Sequence, residues 1–325
     1  MKEPLYLVSD GVLYKHSDTL YFANRDIGKK PVPVENTSDI YCYGNITVRS
    51  GAAMMLMQKG IPVHMFNKHG FYEGSLYPRM QLNSGLVIVK QAEYYLNPEK
   101  RAEIASEIVR GIKHNTLQTL KYYSKKGKDV GSFIENIEKE DPAGDISSIM
   151  SSEGRIWASY YESLNSILNG AFIMTKREIR PPTTELNALI SFGNSLLYAV
   201  TLSEIYNTYL HPSISFLHEP SERRFSLALD IADIFKPVIV ERVIFNLINN
   251  KMINADDFNR DVGVLLNNSG KRKFIAAFDE KLNTTIKHPE LNRNVTYRYL
   301  LRLEAYKLIK HLLGDKKYVS FKMWW

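Results

Sequence analysis

The spacing of apolar residues changes about a quarter of the way along the chain. Over the first 85 or so residues, apolar and polar positions alternate in short runs separated by glycines, which predicts β-strands. The strongest runs are Leu5–Ser9, Thr19–Ala23, Ile40–Gly44, Ile61–Phe66 and Phe71–Tyr77. One helix interrupts them, beginning near Ser50 and ending at Gly60. So many aromatic residues on short strands indicate a sheet that needs a covered face, which a second copy of the protein could provide.

From about Leu86 onward, the apolar residues recur at the 3.6-residue spacing of helices. In the stretch NPEKRAEIASEIVRGIKHNTLQTLKYY, Asn97 is a good helix cap and Pro98 suits the first helical position. The length of 325 residues also favours two domains over one. The sequence therefore predicts an α+β fold, with a small β-rich domain at residues 1–86 and a larger all-helical domain at residues 87–325.

Composition narrows the class of protein without identifying it. The 42 Lys and Arg residues outnumber 35 Asp and Glu, and the resulting charge of +7 favours polyanionic partners such as nucleic acids. Cys42 is the only cysteine, which excludes an intrachain disulfide and any zinc site built on two thiolates. No run of about 18 apolar residues occurs, so no membrane span is predicted. A cytoplasmic location is expected.

Glu153 lies on an apolar helical stripe, four residues after Ile149 and four before Trp157. A charge on that stripe costs several kcal/mol unless it is paired or bound to a cation. One interpretation is an ion pair with Arg155 or Arg177. The other is that Glu153 is a metal ligand.

Asp230 and Asp233 are three residues apart at the start of another apolar helix, for which Ser226 is a plausible cap. Residues at this spacing share a helix face, so the two carboxylates repel each other. A divalent ion would relieve the repulsion, and so would protonation of one carboxylate. The cations close enough in sequence to neutralise the pair are Arg223, Arg224 and Lys236.

His218 precedes Asp230 by twelve residues. A single histidine in such a place is more often a structural residue than a ligand. Taken together, however, two or three carboxylates and one imidazole form a set that suits Mg²⁺ or Mn²⁺ better than structural zinc.

These residues stand in motifs that resemble a known family, the CRISPR-associated integrases, which are metal-dependent DNA endonucleases of spacer acquisition. The resemblance covers essentially the whole chain and rests on stretches such as LYLVSDGVLYKHSDTLYF, EGRIWASYY and HPSISFLHEPSERRFSLALDIADIFKPVIVERV. It implies that Glu153, His218 and Asp233 are catalytic ligands of Mg²⁺ or Mn²⁺. Asp230 matches the neighbouring acidic position and is expected to support catalysis.

The resemblance also implies a reaction and partners. A 3′-hydroxyl of a short DNA fragment would attack a phosphodiester of a CRISPR repeat, and water in its place would give nuclease activity. A homodimer formed through the N-terminal domain is expected, with a small ferredoxin-like partner joining two dimers into a heterohexamer.

Several cations are candidates for binding DNA phosphates. Arg223 and Arg224 follow His218 closely, although they could instead neutralise nearby carboxylates, and Arg242 on the next helix could contact phosphate or an intramolecular partner. The segment YYSKKGK at residues 122–128 mixes aromatic and cationic side chains, as either a DNA-facing loop or a solvated helix end does.

Two other functions fit parts of the same pattern. The chain could be a non-catalytic DNA-binding scaffold in which the acidic cluster is structural. It could also be a non-haem iron enzyme that uses His211, His218 and one carboxylate.

Overall fold

The computed structural model describes residues 2–79, 82–168, 172–179, 181–220, 225–261 and 263–324. Strands dominate the described residues up to Leu76, and helices dominate those that follow, so the predicted α+β fold is confirmed. The N-terminal elements are β1 (Glu3–Leu7), β2 (Gly11–His16), β3 (Thr19–Asn24), β4 (Gly28–Val32), β5 (Thr37–Cys42), β6 (Ile46–Val48), α1 (Ser50–Gln58), β7 (Val63–Phe66) and β8 (Tyr72–Leu76).

The C-terminal elements are mainly helices, with two short two-stranded ribbons among them. They are α2 (Gly85–Leu96), α3 (Pro98–Ser124), α4 (Gly131–Lys139), α5 (Ile146–Ile167), α6 (Glu185–Tyr206), α7 (Ser226–Phe235), α8 (Val240–Asn249), β9 (Phe258–Asn259), β10 (Leu265–Leu266), α9 (Asn268–Asn283), β11 (Thr285–His288), β12 (Arg293–Thr296) and α10 (Tyr297–Leu312). As predicted, the Asn97 side chain accepts the Lys100 N–H and Pro98 opens α3.

The N-terminal strands form two four-stranded sheets, in the orders β1-β5-β7-β8 and β4-β3-β2-β6. Alternate side chains of both sheets, including Leu13, Leu20 and Ile40, meet Leu56 of α1 in one apolar core. The sequence pattern did not reveal β2, β4 and β6. Two of these carry little signal, because β6 has three residues and β4 is an edge strand with only Val32 buried.

The helical half covers one face of the first sheet. Tyr43, just after β5, lies 5.5 Å from Phe192 of α6, and Tyr72 of β8 lies 5.2 Å from Tyr198 of the same helix, both measured between ring centroids. The sheet's aromatic residues therefore find their cover within this chain, so that face does not require a second copy.

Helix α6 runs through the centre of the helical half and packs against α7, α8 and α10. Within the described residues it is the one helix long and apolar enough to cross a membrane, but 83% of its apolar stretch is buried inside the protein. Its apolar character is accounted for by this central position.

An ionic network joins the two halves of the chain. Arg298 of α10 donates hydrogen bonds to buried Asp39 of β5 over 2.5 Å and to Glu204 of α6 over 2.6 Å. Arg302 also donates to Glu204, over 2.7 Å, and the Ser203 hydroxyl donates to Asp39. Two guanidinium groups therefore neutralise two buried carboxylates at the junction.

Candidate active site

Glu153, His218, Asp230 and Asp233 come from three separate parts of the helical half. Glu153 lies on α5, His218 on the loop between α6 and α7, and the two aspartates on α7. Helices α5 and α7 both pack against α3, which brings their polar side chains towards the same region.

Asp230 is fully buried and anchors the loop that carries His218. Its Oδ2 accepts hydrogen bonds from the backbone N–H groups of Phe216 (2.7 Å) and Leu217 (3.0 Å). Its Oδ1 accepts from the His218 N–H over 3.0 Å and contacts His218 Nδ1 at 2.8 Å. Both oxygens are therefore occupied, and Asp230 orients His218 rather than offering a free ligand.

The other imidazole nitrogen of His218 faces Asp233. His218 Nε2 lies 4.0 Å from Asp233 Oδ2. Burial opposes charging of the imidazole, but the hydrogen bond to Asp230 and the surrounding negative charges outweigh burial and raise the pKa of His218 to about 9. Without a metal ion, the imidazole is therefore a cation at neutral pH.

Lys236 neutralises Asp233. Its ammonium lies 2.6 Å from Asp233 Oδ1, one helical turn further along, and 5.0 Å from the centroid of the Trp157 ring. Of the three cations considered from sequence, Lys236 makes this contact. Arg223 and Arg224 lie outside the described residues.

Glu153 is half-buried and close enough to this cluster to interact with it electrostatically. Burial, and then the negative charge of Asp233, raise its pKa to about 7, while Lys236 and His218 act in the opposite direction. The predicted ion pairs do not form. Arg155 donates instead to Glu140 over 2.7 and 2.8 Å, and Arg177 donates to the side chains of Asn187 and Ser191, over 3.1 Å to each.

The start of α7 differs from the sequence prediction. Ser226 is the first residue of the helix, and Phe225 holds the capping position without a side-chain hydrogen bond. The Ser226 hydroxyl donates to the Ser213 carbonyl over 3.0 Å and bonds the Ser215 hydroxyl at 2.9 Å. Ser226 therefore stabilises the histidine loop from within rather than capping the helix.

The carboxylates and the imidazole of the cluster are suitable ligands for a hard divalent ion, but they lie too far apart to bind one. Within the residues that the structure describes, no three His, Cys, Asp or Glu side chains are grouped closely enough to hold a metal ion as they stand. Adjacent ligands of an octahedral Mg²⁺ lie about 3 Å apart, whereas His218 Nε2 and Asp233 Oδ2 are 4.0 Å apart. A closure of about 1 Å between these two atoms would bring this pair to the spacing of Mg²⁺ ligands.

Two residues near this cluster, one half-buried and one fully buried, were missed or undervalued in the sequence. Lys236 was considered only as a neutralising cation, although its three-residue spacing from Asp233 already placed it on the same helix face. Glu241 of α8 is fully buried, and burial raises its pKa to about 8 next to the charges of Lys236 and Asp233. Its position in an apolar helical stripe was the available signal.

Arg242, the next residue, does not contact the carboxylates of the cluster. Its guanidinium lies 4.8 Å from the centroid of the Tyr122 ring. His211 is also engaged elsewhere, since its Nδ1 accepts the Ser213 N–H over 3.3 Å.

Comparisons with known proteins identify the family of this chain. The sequence model for the CRISPR-associated protein Cas1 family matches residues 5–280. The chain belongs to the Cas1 family. It is 49% identical over 321 residues to the CRISPR-associated endonuclease Cas1 of Methanothermobacter thermautotrophicus, covering 98% of this chain and 95% of that protein. It is 46% identical over 326 residues to the CRISPR-associated protein Cas1 1 of Methanobrevibacter ruminantium, covering 100% and 99%.

Solved structures show the same fold. The Cas1 protein TM1797 from Thermotoga maritima superimposes with a TM-score of 0.88 at 40% identity, covering 99% of this chain and all of that one. At the level of fold alone, a casposase bound to its integration product is similar, with a TM-score of 0.84 at 19% identity over 98% of this chain and 93% of the casposase. So is a chain of a Cas6-RT-Cas1–Cas2 complex, with a TM-score of 0.86 at 22% identity over 100% of this chain and 36% of that one. The sequence prediction of a CRISPR-associated endonuclease is confirmed by family membership.

Proposed function

We propose that this Cas1-family chain cuts and joins DNA as the integrase of CRISPR spacer acquisition, with Mg²⁺ or Mn²⁺ bound by Glu153, His218 and Asp233. The observation that carries the proposal is the orientation of His218. Buried Asp230 holds its Nδ1 at 2.8 Å, so that its Nε2 points towards Asp233 in the cluster that includes Glu153. Anchoring one imidazole nitrogen on a carboxylate is the usual way in which proteins fix a histidine ligand.

A divalent ion, when bound, supplies Lewis acidity at a phosphoryl oxygen. Asp230 positions His218 for that ion and takes no direct part. Lys236 is oriented by Asp233 and by the Trp157 ring, so its ammonium adds positive charge where a phosphoryl group gains negative charge. These residues mainly position and neutralise, which is what phosphoryl transfer requires.

The proposed reaction exchanges one phosphodiester bond for another. The 3′-hydroxyl of the incoming fragment attacks a phosphorus of the CRISPR repeat, loses its proton and forms the new bond. The existing 3′ oxygen leaves with the electron pair and takes up a proton. Water as the attacking group gives hydrolysis, so one site serves both activities. The casposase of the same fold, bound to its integration product, supports this reading by analogy of fold.

The proposed partners follow from the same family. Double-stranded DNA is the substrate, and Arg242 is a candidate phosphate contact, as are Arg223 and Arg224. We assign residues 1–86 to dimerisation and residues 87–325 to catalysis, in a cytoplasmic homodimer. The complex that contains both Cas1 and Cas2 supports a small ferredoxin-like partner, with which two dimers would form a heterohexamer.

Strand transfer with defined DNA tests the proposal directly. The partner-supplemented protein should cut and join DNA with Mg²⁺ or Mn²⁺ and stop in EDTA. His218→Ala and Asp233→Asn should each abolish both reactions, while circular dichroism and the unfolding midpoint show a folded protein. Arg155→Gln is a matched control, because it removes the ion pair between exposed Arg155 of α5 and Glu140, neither of which belongs to the cluster. Full activity of folded His218→Ala would refute the assignment.

Neither rival function gains support. An acidic cluster that is only structural would have its carboxylates neutralised within the fold. Glu153 instead forms no ion pair among the described residues, and burial, followed by the charge of Asp233, raises its pKa to about 7. An iron site with His211 would need its ring beside His218, but the His211 ring accepts a hydrogen bond within its own loop.

A further inference from the structure

Three cations and two tyrosines, brought together from four parts of the helical half, lie outside the proposed catalytic cluster. We call this group the basic tyrosine patch, and it consists of Tyr122, Lys126, Arg242, Lys281 and Tyr297. The residues come from the C-terminal end of α3 and the turn after it, from α8, from the last turn of α9 and from the first turn of α10. No single sequence segment contains the patch, so only the fold reveals it.

The cations of the patch lie against tyrosine rings. Lys126 Nζ is 4.6 Å and Arg242 Cζ is 4.8 Å from the centroid of the same ring, that of Tyr122. Lys281 Nζ is 3.6 Å from the centroid of the Tyr297 ring. Cation–π contacts of this kind orient the charges but leave them uncompensated.

None of the three cations has a carboxylate within 4.0 Å among the residues that the structure describes. This contrasts with Lys121, one turn earlier on α3, which pairs with Glu138 at 2.7 Å. The cations also repel one another: burial, and then the charge of Arg242, lower the pKa of Lys281 to about 8. Like charges held together without a counterion favour the binding of an anion.

The shape of the surface indicates what kind of anion it fits. Tyr122 is 41% exposed and Lys126 is exposed, whereas Arg242 and Lys281 are half-buried and the Tyr297 ring is buried beneath Lys281. The patch therefore opens to solvent at its Tyr122 end. Two cavities of about 400 and 650 Å³ lie elsewhere, beside the β7–β8 turn, and patch residues line neither of them. Cations spread over several helices on an open surface suit a chain of phosphates better than one enclosed small anion.

We propose that the basic tyrosine patch binds the phosphodiester backbone of duplex DNA, as a contact separate from the reacting side chains. The proposal rests on the proposed function for the choice of DNA as the polyanion. It joins Arg242 and the segment at residues 122–128, both named from sequence, to Lys281 in one contact, and it gives Tyr122 and Tyr297 the role of positioning the cations.

Salt-dependent DNA binding tests this proposal without any need for catalysis. Anisotropy of a labelled duplex would be measured in EDTA from about 50 to 300 mM KCl, for the full chain and for Arg242→Gln, Lys281→Met and the double variant. Each phosphate contact contributes about 0.9 to the slope of log K against log salt. We expect the slope of the double variant to be smaller by about 1.8, which corresponds to two phosphate contacts. We also expect it to bind the duplex about tenfold more weakly near 150 mM KCl.

The controls separate charge from folding. Lys281→Arg keeps the charge and should bind like the unaltered chain, while Lys281→Met keeps the stem that packs on Tyr297. Lys310→Met removes an exposed lysine that has no ion pair among the described residues. A double variant with the slope and affinity of Lys310→Met would overturn the proposal, and so would an equal loss in Lys281→Arg and Lys281→Met.

Two further arms identify the anion. A loss confined to single-stranded RNA of the same length, with duplex binding intact, would assign the patch to another polymer and refute the DNA proposal. A loss confined to stabilisation by inorganic phosphate, measured as the thermal midpoint, would assign it to small anions and refute it as well. Absence of cutting and joining would reject the proposed function but leave this binding test intact.

Discussion

Replacing Asp230 by Asn tests how the fold positions His218. The carboxylate accepts hydrogen bonds from three backbone N–H groups and contacts the imidazole at 2.8 Å. An amide offers one acceptor oxygen and places an NH₂ group against donors. We expect a loss of about 3–5 kcal/mol in the free energy of unfolding, the usual cost of breaking a buried charged network.

The pH dependence of that loss carries the sharper information. Raising the pKa of His218 from 6.5 to about 9 corresponds to roughly 3 kcal/mol. Because the folded-state pKa is raised, this stabilisation is fully present below pH 6.5 and is lost as the pH rises through about 9. In Asp230→Asn the imidazole loses its main partner, so the difference in stability between the two proteins should narrow by about 3 kcal/mol between pH 6 and 9.5.

Urea unfolding in EDTA, followed by tryptophan fluorescence across that pH range, measures the difference. Glu153 and Glu241 also titrate, but they are common to both proteins, so the difference reports mainly on His218 and its coupling to the cluster. Imidazole NMR would give the pKa of His218 directly. Asp18→Asn, at a fully exposed aspartate, is a control that should change nothing measurable. A stability difference independent of pH would refute the view that Asp230 holds the imidazole proton.

Three other substitutions probe neighbouring parts of the fold. Lys236→Met leaves the buried Asp233 carboxylate without its cation, so it should lower the free energy of unfolding in EDTA by about 3–5 kcal/mol. Mn²⁺ should restore part of this loss, as thermal midpoints would show. Arg298→Leu should cost about 3–5 kcal/mol in urea unfolding, since two buried carboxylates lose their shared partner, whereas Lys59→Ala at an exposed pair should change nothing measurable. Gly193→Ala should destabilise the fold by about 1–3 kcal/mol, because its Cβ would lie 2.5 Å from a methyl carbon of Val240 on α8. Gly154→Ala has open space around its Cβ and should stabilise the fold by about 0.5–1 kcal/mol. Midpoints shifted in the opposite direction would contradict each of these.

The sequence predicts the order of strands and helices because their hydrophobic periodicities differ. It also places Glu153 correctly on a largely apolar stripe of α5, since helical spacing determines which face a residue shares. The ligand roles of Glu153, His218 and Asp233 remain predictions, as does the domain boundary at residue 86.

Long-range pairing is what the pattern could not supply. Nothing local indicates that Arg298 reaches Asp39, 259 residues earlier in the chain, or that Arg155 turns to Glu140 instead of Glu153. The sequence pattern does not predict the short strands β4 and β6, because they bury too few side chains to show an alternation of apolar and polar residues. The two ion pairs depend on packing between elements, which the local sequence pattern does not encode.

The charge of the candidate site suggests an order of binding. Above about pH 7, where Glu153 is ionised, Glu153, Asp230 and Asp233 carry three negative charges, against one positive charge each on His218 and Lys236, so the metal-free cluster has a formal charge of −1. That cluster repels a phosphodiester. A divalent ion held by Glu153, Asp233 and deprotonated Nε2 of His218 would bring the sum to zero, and repulsion would no longer oppose a DNA phosphate. On the proposed function, metal therefore precedes the scissile phosphate in the site, whereas the basic tyrosine patch, which carries its charge without metal, is able to bind duplex DNA first.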